Sequence, residues 1–216
     1  MRCYLRRVLI AVFMCATSFL TVPAAQGRES YYAMIFAAEG RPNIPRLAHT
    51  FAVFVKVEEL EDVDRENWPI EIHSISWLPA TLNVRLLFRP PERGVNLDLQ
   101  TTLRHLASQN AHVCAWGPFQ IRKELFDRAL MQIERLNAGA VAYKAMDRRF
   151  RPCAATNCFH AISDIVDGPL LRTGTAFGVP ASRMVVHHLT PWFIEPQTTH
   201  RDLMKRLGLE NYSIVQ

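Results

Sequence analysis

The sequence has no glycine-rich phosphate loop, no H-E-x-x-H and no G-x-S-x-G. It therefore lacks the signatures of P-loop nucleotide chemistry, zincin-type hydrolysis and nucleophile-elbow hydrolases. Cysteine is sparse, five in 216 residues, which excludes a small disulfide-stapled scaffold. Nine Gly and thirteen Pro, with 49% hydrophobic residues, exclude collagen and a disordered chain. No repeat of solenoid period is present. Excess charge is also slight. Of the formal +5, Arg2, Arg6 and Arg7 contribute three; the rest of the chain sets 22 Lys/Arg against 20 Asp/Glu. A domain so close to neutral gives no electrostatic reason to expect nucleic acid as a partner. The length suits one globular domain with at most a small appendage.

What the sequence does have begins at its N-terminus. Three arginines precede an apolar run from Val8 to Val22, which is 15 residues and short of the ~20 needed to span a bilayer. Val22-Pro23-Ala24 follows, with residues at −3 and −1 that suit signal peptidase. Residues 1–24 read as a signal peptide cut after Ala24 or Ala25, and 25–216 as the mature domain, secreted or periplasmic with no stable membrane span after cleavage. An uncleaved anchor is the alternative, and it too exports the rest of the chain. Met14 before Cys15 rules out a lipoprotein box. Export leaves Cys114, Cys153 and Cys158, an odd number. A Cys114–Cys153 disulfide is the economical pairing, and sequence leaves the connectivity open.

Tyr31 to Ala37, His49 to Val57, Ile70 to Leu78 and Leu82 to Phe88 read as strands, with an acidic connection from Glu58 to Glu66. Arg89 to Gly94 reads as a turn. Leucine spacing predicts a helix over Asp98 to Ser108, and a stripe from Ile121 to Leu136 predicts one over Gln120 to Asn137. Val113 to Trp116, Ala140 to Met146 and Met184 to Leu189 read as extended, Gly174 to Pro180 as loop, and Asp202 to Leu207 as a terminal helix. Mixed order with hairpin-length links predicts the α+β class.

The segment richest in chemistry is Asn157-Cys158-Phe159-His160 and the residues after it. Phe159, Ile162, Ile165 and Val166 share one helical face, and Asn157 suits the N-cap. Cys158 then becomes the first helical residue, where the helix start favours a thiolate and its N–H groups face a developing oxyanion. A nucleophile needs a base, and the base an orienter. His49 and His73 lie on successive strands, and a hairpin centred on residue 61 sets their imidazoles opposite each other. Pro69 requires the second strand to be an edge or to carry a bulge.

Asn157-Cys158-Phe159-His160 resembles the Asn-Cys-x-His box of the lecithin retinol acyltransferase-like, circularly permuted papain-like fold, related to NlpC-type cell-wall hydrolases. In that group a strand His precedes a second polar residue on the next strand, and the Cys opens a later helix. The resemblance implies an antiparallel sheet or partial barrel packed on the nucleophile-bearing helix. It also implies Cys158 as nucleophile, His49 as general base and His73 as orienter. The separation of the two histidines, 24 residues with an acidic insertion, departs from that group.

The expected activity is a cysteine-dependent hydrolase or acyl-transfer enzyme acting on an amide or ester through a thioacyl intermediate. Its substrate would be a peptide, cell-wall or lipid-derived acyl compound, and no cofactor or metal is called for. Tyr143 is a candidate second donor to the oxyanion. The alternative is a non-catalytic exported binding or structural domain on the same scaffold, with Cys158 buried or disulfide-bonded to Cys153. His160 points around the helix from the sulfur and reads as structural. Cys153, Cys158 and His160 lack the short ligand spacing of a zinc site. Arg148-Arg149-Phe150-Arg151 reads as a solvated loop or a seat for an anionic group.

Overall fold

The computed structural model describes residues 27–86, 90–146, 155–168 and 170–215. Residues 1–24, read above as a signal peptide, the basic run 148–151 and Cys153 lie outside the described residues. The protein is α+β, with two sheets that are mostly antiparallel. In chain order, β1 (Arg28–Glu39) and β2 (Ala48–Glu59) form a long hairpin, and β3 (Ile70–Ile75) extends it. Then β4 (Trp77–Pro79), β5 (Glu92–Asn96), α1 (Leu99–Ser108), β6 (His112–Ile121) and α2 (Lys123–Asn137) follow. The last elements are β7 (Ala142–Tyr143), β8 (Ala155–Thr156), α3 (Cys158–Ser163), α4 (Gly178–Leu189), α5 (Arg201–Arg206) and β9 (Ser213–Ile214). One sheet runs β3-β2-β1-β6-β9 and the other β4-β5-β7-β8.

Helices cover both faces of the five-stranded sheet, and the pleat divides its side chains between two cores. Along β2, Ala52 and Phe54 pack with α2, α3 and α4, whereas Phe51, Val53 and Val55 pack with α1 and α5. The central strands β1 and β2 are apolar on both faces because both faces are covered. No helix among the described residues is long and apolar enough to cross a membrane.

Local signals and observed elements agree where capping or alternation decides them. Asp98 caps α1 by accepting from the Thr101 N–H at 2.8 Å, and Asn157 caps α3 by accepting from the His160 N–H at 2.8 Å. Five expectations are corrected. Glu92 to Gly94, read as part of a turn, open β5, and Gly178 to Pro180, read as loop, form the first turn of α4. Met184 to Leu189 is the second half of helix α4, because Ala181, Ser182, Val185, Val186 and Leu189 make one buried stripe. Residues 82–86 form no strand: Leu82 has φ 54°, which breaks extension. The start of the second long helix moves to Lys123, since Gln120 and Ile121 complete β6.

Two glycines are required by close approach. At Gly178, φ is +58° and a Cβ would meet the Glu39 carboxylate, which accepts from the Val179 N–H at 2.9 Å and seats α4 on the end of β1. At Gly94 in β5 a Cβ would lie 1.9 Å from Cζ2 of Trp77, whose ring is fully buried. Gly94→Ala must displace that ring or the strand. It is expected to destabilise the fold by ~1–3 kcal/mol in urea unfolding, the usual cost of overpacking. A midpoint equal to wild type would contradict this packing.

Candidate active site

The cavity that concerns function has a volume of about 620 Å3 and a mainly apolar lining. Its walls come from the start of β2 (His49 and Thr50), Tyr143 of β7, and Asn157 and Cys158 at the start of α3. The segment 170–177, which leads into α4, supplies a further side. Met146 and Leu170, also lining residues, are about half exposed at 48% and 53%.

Cys158 sits where the sequence puts it, as the first residue of a helix capped by Asn157. Its side chain is half-buried, and the next five residues are all buried, so the helix behind the sulfur is fixed by packing. Cys158 carries a thiol, as does the buried Cys114. Cys153, the disulfide partner considered for either, lies outside the described residues. Burial pushes the Cys114 thiol above its usual range, which suits an inert core residue.

His160 is buried, and its Nε2 lies 2.6 Å from the Leu171 carbonyl, to which it donates. This bond ties the 170–177 segment to α3, in keeping with a structural role. Tyr143 pairs with Thr156 in the parallel β7–β8 ladder, two residues before Cys158. Burial, then the charge of the neighbouring Cys158, raises the Tyr143 phenol far above its ordinary range, so it keeps its proton.

His49 borders the same cavity as Cys158. It is 4% exposed, and its Nε2 lies 3.0 Å from Oγ of Ser76. Nδ1 is buried with no hydrogen-bond partner among the described residues, so it does not engage the sulfur. A proton on Nδ1 would be a buried, unpaired donor; on Nε2 it is donated to Ser76, and Nδ1 is left as a lone pair. The ring stacks on Phe51 at 5.7 Å and 15°, and alternation puts it on the α1 side of β2. Thr50, one residue on, faces α4 instead, where its hydroxyl meets Ser182 at 2.9 Å. The two faces meet here because β3 stops at Ile75, opposite Ala52, and leaves this end of β2 with an open edge.

His73 does not lie opposite His49. The β2–β3 register pairs Phe54 with His73, and Ala38 of β1 is the partner of His49. The hairpin closes on Val57 and Ile70, with the Trp68 indole N–H held by the Leu60 and Val63 carbonyls, so its centre is displaced from residue 61. His73 instead sits on Glu71 at 2.7 Å, with its ring edge-on to Phe126. The group that occupies His49 is Ser76, which the sequence reading missed. Ser76 lies at the break between β3 and β4, fully buried. Its N–H donates to Oδ1 of Asn96 at 2.8 Å, while Asn96 Nδ2 donates to the Ser74 carbonyl at 2.9 Å. Among the described residues no cluster of three or more His, Cys, Asp or Glu is placed to hold a metal.

Burial, and secondarily the His105 imidazole, lower the His49 pKa from 6.5 to about 3. Between those values the unfolded chain binds a proton that the folded chain does not, so stability falls as pH drops through that window. Urea unfolding across the window is expected to show this acid limb, and His49→Gln to flatten it. Parallel curves for the two proteins would contradict a desolvated, neutral His49. No protein-family model matches this chain, and no curated protein or solved structure does either.

Proposed function

We propose that this chain is an exported thiol enzyme that hydrolyses or transfers an acyl group through Cys158, on a scaffold of the permuted papain-like kind. The observation that carries the reading is one apolar cavity bordered by both the Cys158 thiol and the His49 residue, whose imidazole is already held by Ser76. Export rests on the arginine-apolar-small pattern of residues 1–24 alone. The substrate class stays that of a peptide, cell-wall or lipid-derived acyl compound.

In this reading His49 is neutral and its Nδ1 lone pair takes the thiol proton once a substrate draws the ring and sulfur together, since such contacts are often loose without substrate. The sulfur bonds to the carbonyl carbon, and the carbonyl electron pair moves to oxygen. The Tyr143 phenol, kept protonated by burial, is a donor available to that oxyanion. Collapse expels the amine or alcohol, which takes the proton from His49. Water or another acceptor then attacks the thioester, gives its proton to His49, and releases the acyl product and the thiol. Ser76 is the positioning residue in place of His73.

A second reading, a non-catalytic binding domain, is favoured by the His49 ring lying on the α1 side of the strand with Nδ1 off the sulfur. Iodoacetamide labelling of the folded protein, mapped by mass spectrometry, separates the two: the thiol enzyme requires modification at Cys158. Hydrolysis of a 4-nitrophenyl acyl ester is expected to vanish in Cys158→Ala and to fall about 10²–10⁴-fold in His49→Ala. Ser76→Ala is expected to cost about tenfold, the worth of one hydrogen bond. His73→Gln is expected to keep the wild-type rate. A Cys158 that resists alkylation in the folded protein leaves only the binding domain.

A further inference from the structure

β3 is the outermost strand of its sheet, and among the described residues it pairs with β2 alone. Glu71 and Ile72 are exposed, Ile72 at 43%. Within a strand the N–H and C=O of one residue point to the same side, and successive residues alternate. The Pro69 carbonyl accepts from the Glu58 N–H at 3.0 Å, so Glu71, His73 and Ile75 turn their backbone groups toward β2. Ser74 marks the other side, since its carbonyl accepts from Asn96 Nδ2 of the second sheet at 2.9 Å. The backbone groups of Ile70 and Ile72, with the Ser74 N–H, therefore point away from β2. No hydrogen bond among the described residues engages them. Such a row of groups is a template for a further strand. The side chains alternate too. His73 lies edge-on to Phe126 with Glu71 beside it at 2.7 Å, whereas Ile70 and Ile72 share the opposite face, where Ile70 packs with the α1 and α5 core.

We infer that the strand this edge receives is β3 of a second copy, antiparallel, with the two-fold axis at Ile72. Both copies present the same edge, so the pairing must be self-complementary. An axis between two residues sets an outward-facing residue against an inward-facing one and forms no ladder. Centred on Glu71, the pairing puts two carboxylates opposite each other. Centred on His73, it sets Ile70 against Ser76, whose N–H and C=O are already held by Asn96 and Leu97. Centred on Ile70, it carries Ser74 past the end of the second strand. With the axis at Ile72, Glu71 meets His73 of the second copy on one face, and the two exposed isoleucines meet on the other. A carboxylate and an imidazole make an acceptor–donor pair, whereas two carboxylates repel. Ile72 exchanges both backbone bonds with its counterpart, and each Ser74 N–H reaches the Ile70 carbonyl of the other copy. The ladder stops there, because Asn96 and Leu97 occupy the edge at Ser76. So short a ladder gives a reversible dimer that forms as concentration rises. The inference is independent of the chemistry at Cys158.

The test is sedimentation velocity on the purified full chain at concentrations up to about 1 mM, the range of weak interfaces. Wild type is expected to pass from monomer to dimer across the series. Ile72→Pro removes the outward N–H and leaves the bonds to β2 in place, as an edge strand allows, and is expected to stay monomeric. His73→Glu opposes carboxylates at both symmetric positions and should weaken the dimer about tenfold. Glu71→His combined with His73→Glu exchanges the two groups and should restore association. Register is read separately by mild oxidation of Ile72→Cys. Opposed residues there have Cα atoms ~5.5 Å apart, within disulfide reach, so mass spectrometry should find the copies linked at position 72. Should Ile72→Pro fail to fold by circular dichroism, His73→Glu and Ile72→Cys decide. A wild type that is monomeric throughout overturns the inference. So does a dimer that His73→Glu leaves at full strength, or one with no linkage at position 72.

Discussion

The side-chain amide of Asn96 bridges the point where the chain leaves one sheet for the other. It accepts from the Ser76 N–H and donates to the Ser74 carbonyl, while the Leu97 N–H donates to the Ser76 carbonyl. A strand that ends inside a protein exposes backbone groups that must be satisfied locally. Here they are satisfied by one amide side chain that spans the gap left by β3, together with the Leu97 N–H. The break has two effects on the site. It opens the edge of β2 beside His49 and Thr50, and it turns the Ser76 hydroxyl toward the imidazole.

From that break the division of labour along β2 follows. Successive residues of a strand face opposite ways, so His49 and Thr50 serve different cores: one stacks on Phe51, the other bonds to α4. In the middle of a sheet these two side chains would never border one cavity. At a strand end with one neighbour missing, they do. The same logic places polar groups where burial is deepest, and burial keeps both His49 and Tyr143 in their neutral forms.

The parts of the fold legible in the sequence are those decided within a few residues. Asn157 as a cap, Cys158 as the first helical residue and the apolar face of α3 depend on one turn of chain, and so does Asp98 before α1. The hairpin register depends on how the long connection closes, and neither alternation nor the position of Pro69 sets that. Since side chains repeat every two residues, an odd displacement exchanges faces. His73 therefore arrives opposite Phe54 with its imidazole on Glu71. Ser76 was illegible for another reason: its role comes from Asn96, twenty residues away, whose amide has no periodic or motif signature. The Met184 to Leu189 stretch reads as strand because valine and isoleucine-like residues favour extension, yet burial of one stripe against β1 decides for helix.

The segment 170–177 is fastened near both ends. His160, on the helix that carries Cys158, holds the Leu171 carbonyl, and Glu39, at the end of β1, holds the first turn of α4 just beyond Phe177. An arch with fixed footings has a height set by how many residues span it. Adding or removing a residue between Arg172 and Ala176 would raise or lower the ceiling while the footings stayed in place. Ligand size in this scaffold is thus adjustable by loop length alone, independently of the residues that would carry out the chemistry.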